Sequence, residues 1–366
     1  MIDSAILKSE ERAIFALRSI YKQYGYLPYK MSKFEEYDLY LKNKDFLLSD
    51  RIITFNDTTG KLLALKPDVT LSIIKNAENT DGSKYKVYYN ENVYRVTDGA
   101  GQYKEIMQTG LECIGEVGVY EVYESVLLAA KSLAAISERF VLDISELDIL
   151  TAALDLASPD ESFRSAAIRC IRDKNEHDLE RLCREAKIAD PERERLIAFA
   201  SMRAKLSVAI PELEKYARGE AMTAAINEIK TLDALLCEVG LSEKIFFDFS
   251  VINDMNYYSG TVFRGFIDGI PTAVLAGGRY DKLIGRMGKS AGGIGFAIYL
   301  DRIESISAPS EYDVDVLLLC EADDAPEDIA RAMTELTRDG SSVRAESILP
   351  EGIRYRRLVR LGEVKK

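Results

Sequence analysis

The chain has 366 residues, 47% of them hydrophobic and 30% charged, with a formal net charge of −12. That length suggests two or three domains and a large core, and the acidity argues against an extended nucleic-acid surface. No run of about 18 apolar residues offers a membrane span, and a single histidine, His177, leaves no multi-histidine metal centre and no Ser-His-Asp triad elsewhere in the chain.

The first 25 residues place Ile6, Ile14, Leu17, Ile20 and Tyr21 at helical spacing, and Gly25 ends the pattern. Acids inside that pattern make it a helix and not a secretory signal. With five dispersed cysteines and no CxxC pair, a reducing cytoplasm is the expected location. From Tyr26 to Gly118 short strands are predicted at "RIITFND", "LLALKP", "YKVYYNENVYRV" and "YKEIMQTGLECIGE", with helices at "DVTLSIIKNAEN" and "VYESVLLAAKSLAAI". Antiparallel strands with helices set among them point to an α+β sheet.

Residues 145–240 read as a helical insertion: "SELDILTAALDLA", then one stretch "ESFRSAAIRCIRDKNEHDLERLCREA", then "PERERLIAFASM" and "AMTAAINEIKTLDALLCEVG". His177, in its charged helix, reads as a surface residue. Strand texture returns from Lys244 to Ile303, with Gly-rich turns at "LAGGRYDKL" and "GKSAGGIGFAIYL". After "SAPSEYD", residues 310–366 read as a small partial α/β piece, with a strand "VDVLLLC", a helix "PEDIARAMTELTRDG" and a strand "SSVRAES". Residues 1–305 form the main domain in this reading.

Chemistry concentrates in four places. On a strand, Gln108, Gly110 and Glu112 share one face, which suits either a polar pocket with a glycine floor or a solvated sheet surface. Asp68 and Thr70 follow Pro67 at a helix start, where Asp68 can cap the helix or hold a ligand ammonium. The glycine-rich turns let backbone approach a ligand, but none is a GxGxxG between strand and helix, so no dinucleotide cofactor is expected. The segment "VINDMNYYSGTVFRGFI" has a pocket-like texture with Asp254 and Arg264 as its flanking charges, and Arg302 reads as helical, able to clamp a phosphate or to pair with Asp301 or Glu304 at the surface.

In chain order, the Pro-acid-Thr turn, the arginine-bearing strand pair, the insertion, "YYSGTVF", "AGGRYD" and "GIGFAI-LDR" resemble the catalytic core of class II aminoacyl-tRNA synthetases, nearest to histidyl-tRNA synthetase. The resemblance spans residues 1–305 and implies an antiparallel sheet flanked by helices. It implies a histidine pocket of Asp68, Thr70, Gln108, Glu112, Tyr257 and Tyr258, and residual nucleotide contacts at Arg95 and Arg302. The catalytic positions depart from the synthetase pattern. Asn253 stands for an arginine, Asn256 for an aspartate, Thr97 for an acid, and Lys104 for an arginine whose planar fork a lysine does not reproduce. Ser32 stands where the dimer-forming motif has a proline.

A histidine pocket without that equipment, and with a shortened tail, is similar to the regulatory subunit of ATP phosphoribosyltransferase. This likeness implies a non-enzymatic chain that partners a short catalytic subunit and takes L-histidine as effector. It also implies self-association as a dimer within a hetero-oligomer, with no tRNA, cofactor or metal.

Overall fold

The computed structural model describes residues 7–44, 52–77, 83–96, 102–252, 255, 257–303 and 311–364. The chain divides into two compact units, residues 1–306 and 307–366. The elements of the first unit begin with α1 (Ser9–Gln23), β1 (Leu27–Pro28), β2 (Phe34–Glu36), α2 (Tyr37–Lys42), β3 (Thr54–Asn56), β4 (Leu62–Leu65) and α3 (Thr70–Asn76). The long hairpin β5 (Tyr85–Val96) and β6 (Tyr103–Gly115) follows, then α4 (Val119–Ile136) and β7 (Phe140–Glu146).

The helical region comprises α5 (Leu147–Ala157), α6 (Glu161–Arg172), α7 (Glu176–Glu185), α8 (Asp190–Ser201), a short β8 (Arg203–Lys205), α9 (Leu206–Tyr216) and α10 (Gly219–Glu238). The chain then returns to the sheet through β9 (Ile245–Asp248), β10 (Thr261–Ile267), β11 (Leu275–Arg279), α11 (Asp281–Arg286) and β12 (Gly292–Tyr299).

Nine of these strands make one sheet in the order β1-β5-β6-β12-β11-β10-β7-β9-β8. Its pairs are antiparallel except β1 with β5 and β7 with β9. A separate three-stranded sheet, β2-β4-β3, lies in the same unit. One face of the large sheet packs on α4, whose Val126, Leu128, Ala129, Ala130 and Leu133 are fully buried. Helix α1 adds Ala13, Leu17 and Tyr21, an i, i+4, i+8 stripe, and the Tyr21 hydroxyl lies 3.1 Å from Ser132 Oγ on α4. Gly25, at φ +78°, allows the left-handed turn that ends this segment. Burial on this side leaves the opposite face to build a cavity.

Three sequence expectations need correction. The stretch 161–186 is two helices, because Asp160 and Asn175 each cap a helix start and Lys174 takes a left-handed φ of +52°. The insertion is not wholly helical. Ser145 and Glu146 belong to β7, and β8 pairs with β9 at the sheet edge. The glycines of "LAGGRYD" and "GGIGFAIY" lie inside β11 and β12 and not in turns. His177 is exposed on α7, as its charged context implies.

The second unit holds β13 (Val314–Leu319), α12 (Pro326–Leu336), β14 (Val343–Glu346), β15 (Tyr355–Arg360) and α13 (Leu361–Val364). Its three strands are parallel in the order β14-β13-β15, around a small core of Leu318, Cys320, Ala332 and Leu361.

Candidate functional site

A cavity of about 740 Å³ opens over the free face of the large sheet, within the roughly 300–1,000 Å³ usual for small-molecule sites. All eight candidate residues from the sequence line it: Asp68, Thr70, Arg95, Gln108, Glu112, Tyr257, Tyr258 and Arg302. The cavity brings together side chains that are up to 234 positions apart in sequence.

Strand β6 is the central support. Its residues Gln108 to Ile114 are buried on both faces, so the solvated-sheet alternative does not hold. Leu111 and Cys113 enter the main core, while Gln108 and Glu112 face the cavity. Glycine makes this possible. A Cβ at Gly295, opposite Glu112 on β12, would collide with the Glu112 carboxylate and the Leu111 carbonyl. The glycine between Gln108 and Glu112 is not an open floor, because a Cβ at Gly110 would sit 2.7 Å from the Tyr89 hydroxyl. That tyrosine, paired with Gly110 across the hairpin, fills the space and itself becomes a cavity wall.

Glu112 is held from two sides. The Thr70 hydroxyl donates to Oε1 at 2.7 Å and the Tyr280 hydroxyl to Oε2 at 2.5 Å. Burial nevertheless raises its pKa to about 8, with the two hydroxyls pulling down and nearby Asp68 pushing up. Asp68 Oδ1 accepts the Leu71 N–H at 2.9 Å at the start of α3, the capping role the sequence offered, and the residue also lines the cavity. Burial raises its pKa as well, against the charge of Arg95 and the backbone N–H groups of Leu71 and Thr70. Desolvation is the main cause in both, and the charge of Asp68 adds to the rise at Glu112.

Aromatic side chains wall the cavity. The Tyr257 and Tyr258 rings stand 4.4 Å apart, and Tyr280 lies 6.1 Å from Tyr257. Gln108 Nε2 is buried without a hydrogen-bond partner, a donor that a ligand oxygen would satisfy.

Arginines line the cavity as well, and Arg95 lies close enough to Asp68 for its charge to act on that carboxyl. Arg95 Nε donates to the Pro67 carbonyl at 2.8 Å, Arg264 to the Ile252 carbonyl at 3.3 Å, and Arg302 to the Ala273 carbonyl, with its guanidinium 4.2 Å over the Tyr299 ring. Arg302 sits on a single 3-10 turn and not on a longer helix. Arg172, from the end of α6, also reaches the cavity. Lys104 is exposed on β6, paired in register with Arg95. Asn253, Asn256, Asp254 and Thr97 lie outside the described residues. Among the described residues no cluster of His, Cys, Asp and Glu suits a metal ion, and no helix is long and apolar enough to cross a membrane.

Sequence reasoning did not assign Tyr89, Tyr280, Arg172 or Tyr299 to the site. Tyr280 carried a usable signal, since it ends the "GGRY" run that the resemblance already singled out.

The family model described as histidyl-tRNA synthetase matches residues 4–303. The chain belongs to the histidyl-tRNA synthetase family. Within the family, curated relatives named ATP phosphoribosyltransferase regulatory subunit are 28% identical over 293 residues. The protein of Acetivibrio thermocellus matches 78% of this chain and 70% of its own length, that of Bacillus thuringiensis 78% and 69%.

Solved structures agree on the fold. The ATP phosphoribosyltransferase regulatory subunit/histidyl-tRNA synthetase from Bacillus halodurans superposes with TM-score 0.77 at 21% identity, covering 96% of this chain and 93% of that one. Histidyl-tRNA synthetase from Nostoc gives 0.72 at 18%, covering 94% and 83%. A chain of the ATP phosphoribosyl transferase (HisG:HisZ) complex from Thermotoga maritima gives 0.63 at 18%, covering 80% and 97%.

Proposed function

We propose that this chain is a non-catalytic regulatory subunit of ATP phosphoribosyltransferase. It partners the short catalytic subunit, is required for its activity, and binds L-histidine for feedback in the first step of histidine biosynthesis. The observation that carries the reading is the pair of acids in the cavity. Asp68 and hydroxyl-bound Glu112 stand in one cavity with the close, mutually tilted Tyr257 and Tyr258 rings and the unpartnered Gln108 Nε2. Carboxylates suit an ammonium and an imidazole N–H, and aromatic walls keep water from the ring. The names of the curated relatives support the same assignment.

Loss of adenylation follows from sequence. Removing one transition-state donor costs about 10²–10³ in rate, and Asn253, Asn256, Thr97 and Lys104 together replace four charged positions of the enzyme pattern. A second reading, a divergent histidyl-tRNA synthetase-like ligase, draws on Arg95 and Arg302, which line the same cavity.

One pair of assays separates the two. Mixed with the short transferase, the chain raises phosphoribosyl transfer to ATP and makes it histidine-sensitive. Alone, it shows no histidine-dependent ATP–pyrophosphate exchange. Robust exchange by the isolated chain, rising further in Asn253→Arg, would replace the regulatory reading with the ligase.

A further inference from the structure

In the histidine reading, Asp68 and Glu112 meet the cation and N–H groups of the amino acid, and its carboxylate calls for a guanidinium of its own. In the sequence pattern, residue 253 would supply an arginine for that group, and here it is Asn253. The sheet offers another guanidinium. Tyr89, Gly110, Ala297, Ala276 and Arg264 stand in one register row across β5, β6, β12, β11 and β10. Residues paired in register share a face, so three small residues separate the Tyr89 wall from the Arg264 wall. The row from β6 to β10 is three strand spacings, about 14 Å. A long side chain on β10 reaches back across a floor that alanine and glycine leave low.

Arg264 is also anchored where the missing group belongs. It is half-buried, lines the cavity, and donates to the carbonyl of Ile252, the residue immediately before Asn253. The charges of Glu112, Asp68 and Arg264 all bear on the Tyr258 hydroxyl.

We propose that Arg264 holds the α-carboxylate of the bound amino acid, replacing from β10 the guanidinium that residue 253 no longer provides. A planar fork of N–H donors matches a carboxylate bidentately, and Gln108 Nε2 stands as a second donor. The proposal rests on the histidine reading of the cavity and adds a specificity rule: the site favours a ligand with a free carboxylate.

The test uses the full chain and two ligands, L-histidine and histamine, which differ by that carboxylate. Titration calorimetry on the wild-type chain is expected to show L-histidine binding at least about 10-fold tighter than histamine, the range of hydrogen bonds to a charged group. In Arg264→Ala, histidine affinity falls to the level of histamine while histamine affinity stays unchanged. Arg264→Lys recovers part of the difference. A thermal melt of each variant reports folding.

Wild-type chain that binds both ligands equally overturns the Arg264 assignment and leaves the histidine cavity standing. Parallel weakening of both ligands in Arg264→Ala does the same, because it marks a residue that only shapes the wall. Absence of binding by either ligand overturns the cavity reading and this proposal together.

Discussion

The acids and the arginines of the cavity are held on different principles. Glu112 and Asp68 are held by hydroxyls and backbone N–H groups within hydrogen-bond reach, and burial pushes both toward their neutral forms. The arginines Arg95, Arg264 and Arg302 are each docked on a backbone carbonyl. Burial makes the carboxylates costlier to ionise, whereas guanidinium groups are always charged and need only to be positioned. The difference suits a zwitterion lying across the sheet, its cationic parts toward the acids and its carboxylate toward the arginines.

Perturbations around the acids should have the larger effects. Gly295→Ala would force a methyl group into the Glu112 carboxylate and the rigid Leu111 carbonyl. Overpacking of that kind costs about 3 kcal/mol, and denaturant unfolding should show the loss together with abolished histidine binding. Unchanged stability would mean that β6 and β12 are not held as closely as the register requires.

Next is Glu112→Gln, which keeps the shape and removes the ionisable carboxyl group. Histidine affinity should fall by about 1.5–3 kcal/mol, measured by competition against a fluorescent ligand. Retained affinity would remove Glu112 from recognition.

A buried acid outside the cavity sharpens the contrast. Glu146 accepts the Thr261 hydroxyl at 2.7 Å, and burial raises its pKa from 4.5 to about 8. Between those values the folded chain keeps a proton that the unfolded chain has released, so stability falls as pH rises through that window. Glu146→Gln should lessen the drop in stability between pH 5 and pH 8 without altering histidine binding. Thermal melts at the two pH values, with calorimetry, check both halves.

The smallest effect is expected at the exposed rim. Lys104→Arg restores one guanidinium of the enzyme pattern but leaves Asn253, Asn256 and Thr97 in place. ATP–pyrophosphate exchange should stay at background, and a clear rise would show that the catalytic deficit is a single residue deep.

Much of the fold was legible because local signals agreed with tertiary context. Strand β5 occupies the segment "YKVYYNENVYRV", and the alternation on β6 separated core residues from cavity residues. Local signals failed where long-range contacts decide. The glycines of β11 and β12 looked like turns, but Gly277 and Gly295 are small because Phe296 and Glu112 press against them across the sheet. Helix α9 carries Pro211 inside it, which argues against a helix until the packing of Leu206, Ile210 and Leu213 is seen.

In the site, the six pocket residues and two arginines could be named from motifs, because the family resemblance fixes them one at a time. Arg264, by contrast, read only as a charge at the exit of its segment. Its place on the cavity wall depends on the strand order β12-β11-β10, which no local pattern announces.

The most direct test of the account is a calorimetric titration of the isolated wild-type chain with L-histidine. A saturable single-site heat is expected, with one ligand per chain. A flat trace, at concentrations where the fold is intact by circular dichroism, would contradict it.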